Sequence, residues 1–393
     1  MSIVRSPKSP KWIAVGLLIA LFLALYVTQH PLDFRVYYFG GRGVFDGTRP
    51  VYGLSSGLGW PMHYRYPPLF LLLFAPLAML PLAWGAALWV LLKIAVLTVL
   101  VRALYSAPRR GGLWFIPCLF ITPYLLEELR YGNVQFFVFA LTAAALLKAR
   151  DRPVLAAASL ALGISIKVWP LFFVPYMAVR RNWTVAGYTI AFLCFLLMLP
   201  SVYFGFGENS NLLGQWFSQE MHTQFSENEI WFPNQSLRGV LMRYLTVVDY
   251  SQVPDSNYPG VNFVALPPSL VRLIWIAIAA SAYAGFLLLV TRSRNSSHRL
   301  EQGLAFCLIA LLEPFTQKYA LSILLWPAMA AVELVPKPPF RRLLFLATIP
   351  VLIQPLSPGA NTQRFLQVLG LDFAATALLT VTLTTAYFKS VER

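Results

Sequence analysis

Three parts of the chain carry the residues best suited to chemistry. In the first, Asp33-Phe34-Arg35-Val36-Tyr37-Tyr38, a carboxylate stands only a few residues beyond a long apolar run. Partial withdrawal from water raises a carboxyl pKa, and a carboxylate so placed can act as a general base. The same spacing fits an interfacial aspartate paired with Arg35 or Arg42. The second is His63-Tyr64-Arg65-Tyr66-Pro67-Pro68, where an arginine between tyrosines sits at the height of a lipid phosphate. An aromatic belt with a snorkelling arginine has the same composition. The third part is scattered: Arg130-Tyr131-Gly132-Asn133-Val134-Gln135, Lys167 between two short apolar runs, Lys318 after Glu313-Pro314-Phe315-Thr316-Gln317, and Arg238 and Arg243 near Asn234-Gln235-Ser236. Each of these cations is expensive against lipid, so each is expected to face a polar cavity or a partner charge. Together they suit an anionic lipid head group, and they suit equally well salt bridges to nearby acids.

Other chemistries find little support. No glycine-rich loop that would cradle a phosphate is present, and His30, His63 and His222 have no partner at i, i+4 spacing. No metal site and no cofactor are therefore expected, and no nucleophile-elbow sequence appears. Cys118, Cys194 and Cys307 stand alone in apolar runs, as small buried hydrophobes do.

The elements that must position these residues are set by composition. Of 393 residues, 58% are hydrophobic and only 12% charged, against roughly 25% charged in soluble chains. Mean hydropathy is +0.63. This excludes an ordinary soluble enzyme and points to an all-α polytopic membrane protein. The net charge of +15 is no sign of nucleic-acid binding, because Lys and Arg fall in short clusters between apolar runs, the pattern of cytoplasmic loops.

A run of roughly 20 apolar residues crosses a bilayer. The first, at 12–28, follows Arg5, Lys8 and Lys11 and ends without a cleavage site, so it reads as an uncleaved helix. The stretch from Pro67 to Ala103 crosses once, because Arg102, Arg109 and Arg110 place its end in the cytoplasm; residues 67–80 then form an outer interfacial helix. Further spans are expected near 112–126, 134–149, 153–166, 169–180, 183–203, 268–291, 300–314, 318–335, 341–355 and 364–388, about twelve helices in all, with both termini cytoplasmic. Asp33, Asp46, Glu127, Glu128, Glu208, Glu220, Glu227, Glu229, Asp249, Asp255 and Glu313 then lie outside, 11 of the 16 acids. The chain reads as one integral membrane domain over 1–393, with a first outer loop and interfacial helix at 29–81 and a large outer loop at 204–267.

The order of the segments is familiar. Asp33-Phe34-Arg35-Val36-Tyr37-Tyr38, Gly47-Thr48-Arg49-Pro50-Val51-Tyr52, Tyr66-Pro67-Pro68-Leu69, Gly132-Asn133-Val134-Gln135, Ile166-Lys167-Val168-Trp169-Pro170 with Arg180-Arg181-Asn182-Trp183, and Asn234-Gln235-Ser236-Leu237-Arg238 together resemble glycosyltransferase family 87. The resemblance runs over most of the chain. It implies a GT-C fold with the active site between outer loops and membrane, and a sugar, usually mannose, taken from a polyprenyl-phosphate carrier with inversion. It makes Asp33 the base. The family often has Gly-Gln-x-Asn where this chain has Gly132-Asn133-Val134-Gln135, and a His-Tyr pair where it has Lys318-Tyr319.

The residues are compatible with that chemistry on their own terms. An outer-face transferase needs a lipid-borne donor, and cations can stabilise the leaving phosphate without a metal. Arg65, Lys167, Lys318 and Arg238 are the candidate phosphate contacts. Tyr37, Tyr66, Asn133, Gln135, His222 and Trp231 are the candidate substrate contacts. The acceptor is a lipid or a glycan, the membrane itself is the other partner, and a bacterial inner membrane with the site on its periplasmic face is the expected location. A lipid-linked glycan ligase would share these features. A transporter or flippase would instead show inverted repeats and mid-membrane ionisable groups; here Lys93 is the only cation deep in a long run.

Overall fold

Among the described residues, five helices are long and apolar enough to cross a membrane: Leu82–Leu104, Trp183–Phe204, Pro268–Arg292, Pro338–Leu356 and Leu371–Ser390. The computed structural model that shows them describes residues 32–46, 51–53, 63–104, 115–226, 230–247, 260–292 and 298–391. The expected first span at 12–28, His30, Arg109, Arg110 and the Gly47–Pro50 part of one motif lie outside the described residues.

In chain order the helices are α1 (Leu32–Asp46), α2 (Pro68–Ala78), α3 (Leu82–Leu104), α4 (Phe115–Tyr131), α5 (Gln135–Lys148), α6 (Pro153–Ile166), α7 (Phe173–Val179), α8 (Trp183–Met198), α9 (Ser201–Phe204), α10 (Phe206–Ser226), α11 (Leu237–Leu245), α12 (Pro268–Arg292), α13 (His298–Leu312), α14 (Leu325–Ala331), α15 (Pro338–Leu356), α16 (Ala360–Val368) and α17 (Leu371–Val391). Short 3₁₀ segments, Trp169–Phe172 and Lys318–Leu324, precede α7 and α14. No strand occurs among the described residues.

The long helices keep most of their surface for lipid: only 11% of the apolar window of α12 is buried inside the protein. The short helices do the internal packing. α5 and α6 meet through fully buried small residues, Ala143, Ala145, Ala156, Ala157 and Ala161, which let helix backbones approach closely. A large core joins α4 to α6 with α13, the second 3₁₀ segment, α14, α15 and α17. A second, aromatic core gathers Phe34, Tyr37, Tyr64, Tyr66, Phe70, Phe74 and Trp89 from α1, α2, α3 and the segment before α2.

Three expected spans are broken. The run 169–180 is a 3₁₀ segment followed by the short α7. The run 318–335 is a 3₁₀ segment followed by α14. Pro327 has no N–H and its ring would strike the carbonyl of Ile323, so a regular α-helix cannot pass through; α14 starts at Leu325 and keeps the proline in its first turn. The run 364–388 is divided at Gly370, whose φ of 75° ends α16 in the left-handed conformation and lets α17 begin in a new direction. The 29–66 segment carries α1, and 204–267 carries α10 and α11.

Candidate active site

The site is built on the first turn of α1. Asp33 lies there, where a negative charge is favourable at the helix N-terminus, and only 6% of the residue is exposed. The next turns of α1 bury Phe34, Tyr37 and Tyr38 against α2 and α3. Phe34, Tyr37, Phe70, Phe74 and Trp89 interlock with ring centroids 5.2 to 6.3 Å apart, a rigid apolar floor under the carboxylate.

The turn between α4 and α5 comes in from the other side. Gly132 adopts φ 68°, and its carbonyl accepts from Trp89 Nε1 at 2.8 Å. Asn133 then bridges the site. Its Oδ1 accepts from Gln135 N at 2.8 Å and from Lys167 Nζ at 3.2 Å. With the amide oxygen so engaged, Nδ2 is left to donate to Asp33 Oδ2 at 2.7 Å, and it approaches the Tyr66 hydroxyl at 3.4 Å. The Tyr37 and Tyr66 hydroxyls bond each other at 2.8 Å, and Tyr37 also accepts from Val134 N at 3.2 Å.

Lys167 follows α6, where Pro170 prevents the helix from continuing. Its ammonium lies 5.8 Å from the Tyr66 ring centre and 5.5 Å from that of Tyr319, within cation–π range. Burial pushes the Asp33 carboxyl above its ordinary value of 3.8, against the Asn133 bond and the charges of Lys167, Lys93 and Arg65. Burial likewise lowers the Lys167 pKa, against the attraction of Glu128, Glu313 and Asp33. An acid that is reluctant to ionise thus faces a base that is reluctant to hold its proton, with an amide between them.

Among the residues expected from sequence, the structure brings Asp33, Tyr37, Tyr66, Asn133, Gln135 and Lys167 together. Gln135 accepts from Trp169 Nε1 at 3.2 Å, while its Nε2 is buried without a hydrogen-bond partner. Arg65 is next to this group, and Glu220 of α10 holds its guanidinium in a two-pronged pair at 2.9 Å on each side. Trp216 and Gln219 of α10 secure the same segment through the carbonyls of Arg65 and Tyr64.

The remaining four lie in other surroundings. Lys318 donates to Gln354 at 3.2 Å and faces Asp372. Arg238 lies over the Trp275 ring of α12. Trp231 stacks on Phe315 beside the small Phe232–Val368 cluster, and His222 is exposed on α10. In the 3₁₀ segment after Gln317, Tyr319 and not Lys318 turns toward Lys167 and Tyr131. The Lys318-Tyr319 dipeptide is visible in the sequence, but which member faces the site is set by the surrounding packing. Lys93 is visible too, as a lone cation in a long run, which demands a counter-charge. Its partner is Glu128.

Gly132 admits a direct test. A Cβ there would lie 2.9 Å from Phe34 Cβ, and the left-handed backbone alone costs a side-chain-bearing residue about 1–2 kcal/mol. Gly132→Ala is expected to lower the thermal midpoint of the purified protein and its turnover together, since Phe34 can yield only by moving Asp33 with it. A variant with both values unchanged would show that this approach is not tight.

The described residues form an all-helical body with five apolar spans around a carboxylate–amide–lysine group. The chain belongs to glycosyltransferase family 87, whose family model matches residues 64–312. Over 177 residues it is 27% identical to the polyprenol-phosphate-mannose-dependent alpha-(1-2)-phosphatidylinositol mannoside mannosyltransferase of Mycobacterium tuberculosis (strain ATCC 25618 / H37Rv), an alignment covering 39% of this chain. The match spans 41% of that relative's length. Asp33 itself precedes the part of the chain matched by the family model.

Proposed function

We propose that this membrane glycosyltransferase moves a sugar, mannose by likeness to its relative, from a polyprenyl-phosphate carrier to a hydroxyl of a lipid or glycan acceptor. The chain crosses the membrane about twelve times, keeps both termini in the cytoplasm, and works at the periplasmic face of a bacterial inner membrane. The observation that carries this reading is the Asp33–Asn133–Lys167 group, in which a buried carboxylate and a partly buried cation are held on opposite ends of one amide.

In the reaction, the acceptor oxygen attacks the anomeric carbon from the face opposite the phosphate, so the configuration inverts. The bond from the anomeric carbon to the phosphate oxygen breaks, and both its electrons leave with the polyprenyl phosphate. The acceptor's hydroxyl proton passes to Asp33 as the new bond forms. Lys167 neutralises charge on the leaving phosphate, with Arg65 able to join once Glu220 gives way. These cations supply the charge that a divalent metal would otherwise bring, so the reaction is metal-independent. Gln135 Nε2, buried and unbonded, is a donor for a sugar hydroxyl.

The test uses purified protein in nanodiscs, a panel of polyprenyl-phosphate sugars, and a membrane extract as acceptor. Free polyprenyl phosphate is expected from one donor, to the same extent with and without chelator. Release that stops with chelator would remove the metal-independent step. No release from any donor, with an extract shown to hold competent acceptor, would favour a ligase or transporter.

A further inference from the structure

A second buried charge pair lies directly behind the site. Lys93, midway along α3, donates to Glu128 Oε1 at 2.9 Å and to the Glu128 carbonyl at 3.2 Å, and both side chains are 1% exposed. Glu128 Oε1 also accepts from Phe136 N at 3.0 Å. Phe136 is in the first turn of α5, where backbone N–H groups have no partner within the helix, so the carboxylate closes the start of α5. Trp89, one turn before Lys93 on the same face of α3, holds the Gly132 carbonyl. The turn from Glu128 to Phe136 is thereby tied to α3 at its start and in its middle, its far end is closed on Glu128, and Asn133 is the residue it presents.

Stability does not account for this arrangement. Removing two charges from water costs several kcal/mol per ion, and well-packed apolar residues of similar volume are often as good or better. An ion pair fixes direction and distance, which an apolar contact does not. Glu128 can satisfy Lys93 and Phe136 N through one oxygen only if α3, α4 and α5 meet in one register. That register decides where the Asn133 amide points. Lys93 also stands close enough to Asp33 for its charge to bear on the carboxylate.

We propose that Lys93 and Glu128 are positioning residues for the transfer reaction: they lock the 128–136 turn so that Asn133 directs its N–H to Asp33 and its oxygen to Lys167. Trp89 is the third member of the lock. The inference rests on Asp33 and Lys167 being the reacting pair.

The decisive variant is the neutral double replacement Lys93→Met with Glu128→Gln. It leaves no unpaired charge, and the oxygen of the new side-chain amide can still accept from Phe136 N. Turnover, donor KM and thermal midpoint are measured in nanodiscs beside Asp33→Asn. A misplacement of about 1 Å can cost on the order of 10²-fold in rate. The double variant is therefore expected to keep its thermal midpoint and its donor KM while kcat falls by about 10²-fold. A pair with a merely structural role predicts that recovered stability brings back full turnover, and wild-type kcat in a well-folded double variant overturns the proposal. If the double variant does not fold, Trp89→Phe decides the matter. It keeps an aromatic ring in the floor and removes the N–H that bonds Gly132 together with part of the indole surface, and kcat is expected to fall by about tenfold with KM unchanged. An unchanged kcat there also overturns the proposal. Should Asp33→Asn itself retain turnover, the fault lies with the reading of the base, not with the lock.

Discussion

Asp33→Asn is expected to lower kcat by about 10³-fold, within the range by which a positioned general base accelerates transfer, while donor KM changes little. The replacement is nearly isosteric, and its amide oxygen can accept the same Asn133 N–H that reaches Asp33 at 2.7 Å. Geometry is kept and only the proton acceptor is lost. Release of free polyprenyl phosphate by the purified variant is the readout, and turnover within tenfold of wild type would remove Asp33 from the role of base.

The same residue sets two pH effects. Activity needs the carboxylate, and burial raises its pKa above 3.8, so kcat should fall with decreasing pH at a midpoint above the ordinary carboxylate range. Stability runs the other way. A carboxyl whose pKa is higher in the folded state than in the unfolded chain binds its proton more tightly when folded. Its contribution is most favourable below the unfolded value and is lost as pH rises through the folded one. At neutral pH the ionised Asp33 therefore works against folding, and Asp33→Asn should be at least as stable as wild type. A dead but stabilised variant separates catalysis from folding, as sites that hold function at the expense of stability do.

Lys167→Met should have the next largest effect, on the order of 10²-fold in kcat, by analogy with removal of one preorganised donor from a developing negative charge. Methionine fills much of the lysine volume between the Tyr66 and Tyr319 rings, so the pocket is kept while the cation is lost. Two further consequences follow from its position. The Asn133 oxygen loses the bond at 3.2 Å but keeps that from Gln135 N, so the amide stays oriented. Asp33 also loses the strongest of the charges that lower its pKa, so the acid limb of the pH profile should move upward. A Lys167→Met enzyme with wild-type kcat and an unmoved limb would show that the phosphate is met elsewhere. Arg65→Met offers the comparison: its guanidinium is already held by Glu220 on both prongs, and its loss should cost less.

What can be read along the chain and what cannot divide along a physical line. Hydropathy is a local property summed over about 20 residues, so the long runs at 82–104, 183–204, 268–292 and 338–356 stand out with no knowledge of their neighbours. Asp33, Asn133 and Lys167 can each be singled out, because a polar group beside an apolar run is costly and needs a reason. Their meeting cannot be read. Asp33 and Asn133 are 100 positions apart and Asn133 and Lys167 are 34, and no local rule says which polar groups share a cavity.

The same limit applies to the partners of Arg65, Lys318 and Lys93. The run of residues around Arg65 suggests a guanidinium held ready for phosphate, but Glu220, 155 positions away, already occupies it. Lys318 and Tyr319 are neighbours, yet Tyr319 faces Lys167 while Lys318 reaches Gln354, a choice made by the helices packed around the segment. Lys93 signals that a counter-charge must exist, yet only the packing of α3 against α4 names Glu128. A membrane body, its apolar spans and a short roster of costly polar residues are legible in the order of amino acids alone, because transfer from water to lipid is settled residue by residue. Which of those polar residues form one site is fixed by the packing of the helices, because hydrogen bonds and ion pairs act over about 3 Å in space and are indifferent to distance along the chain.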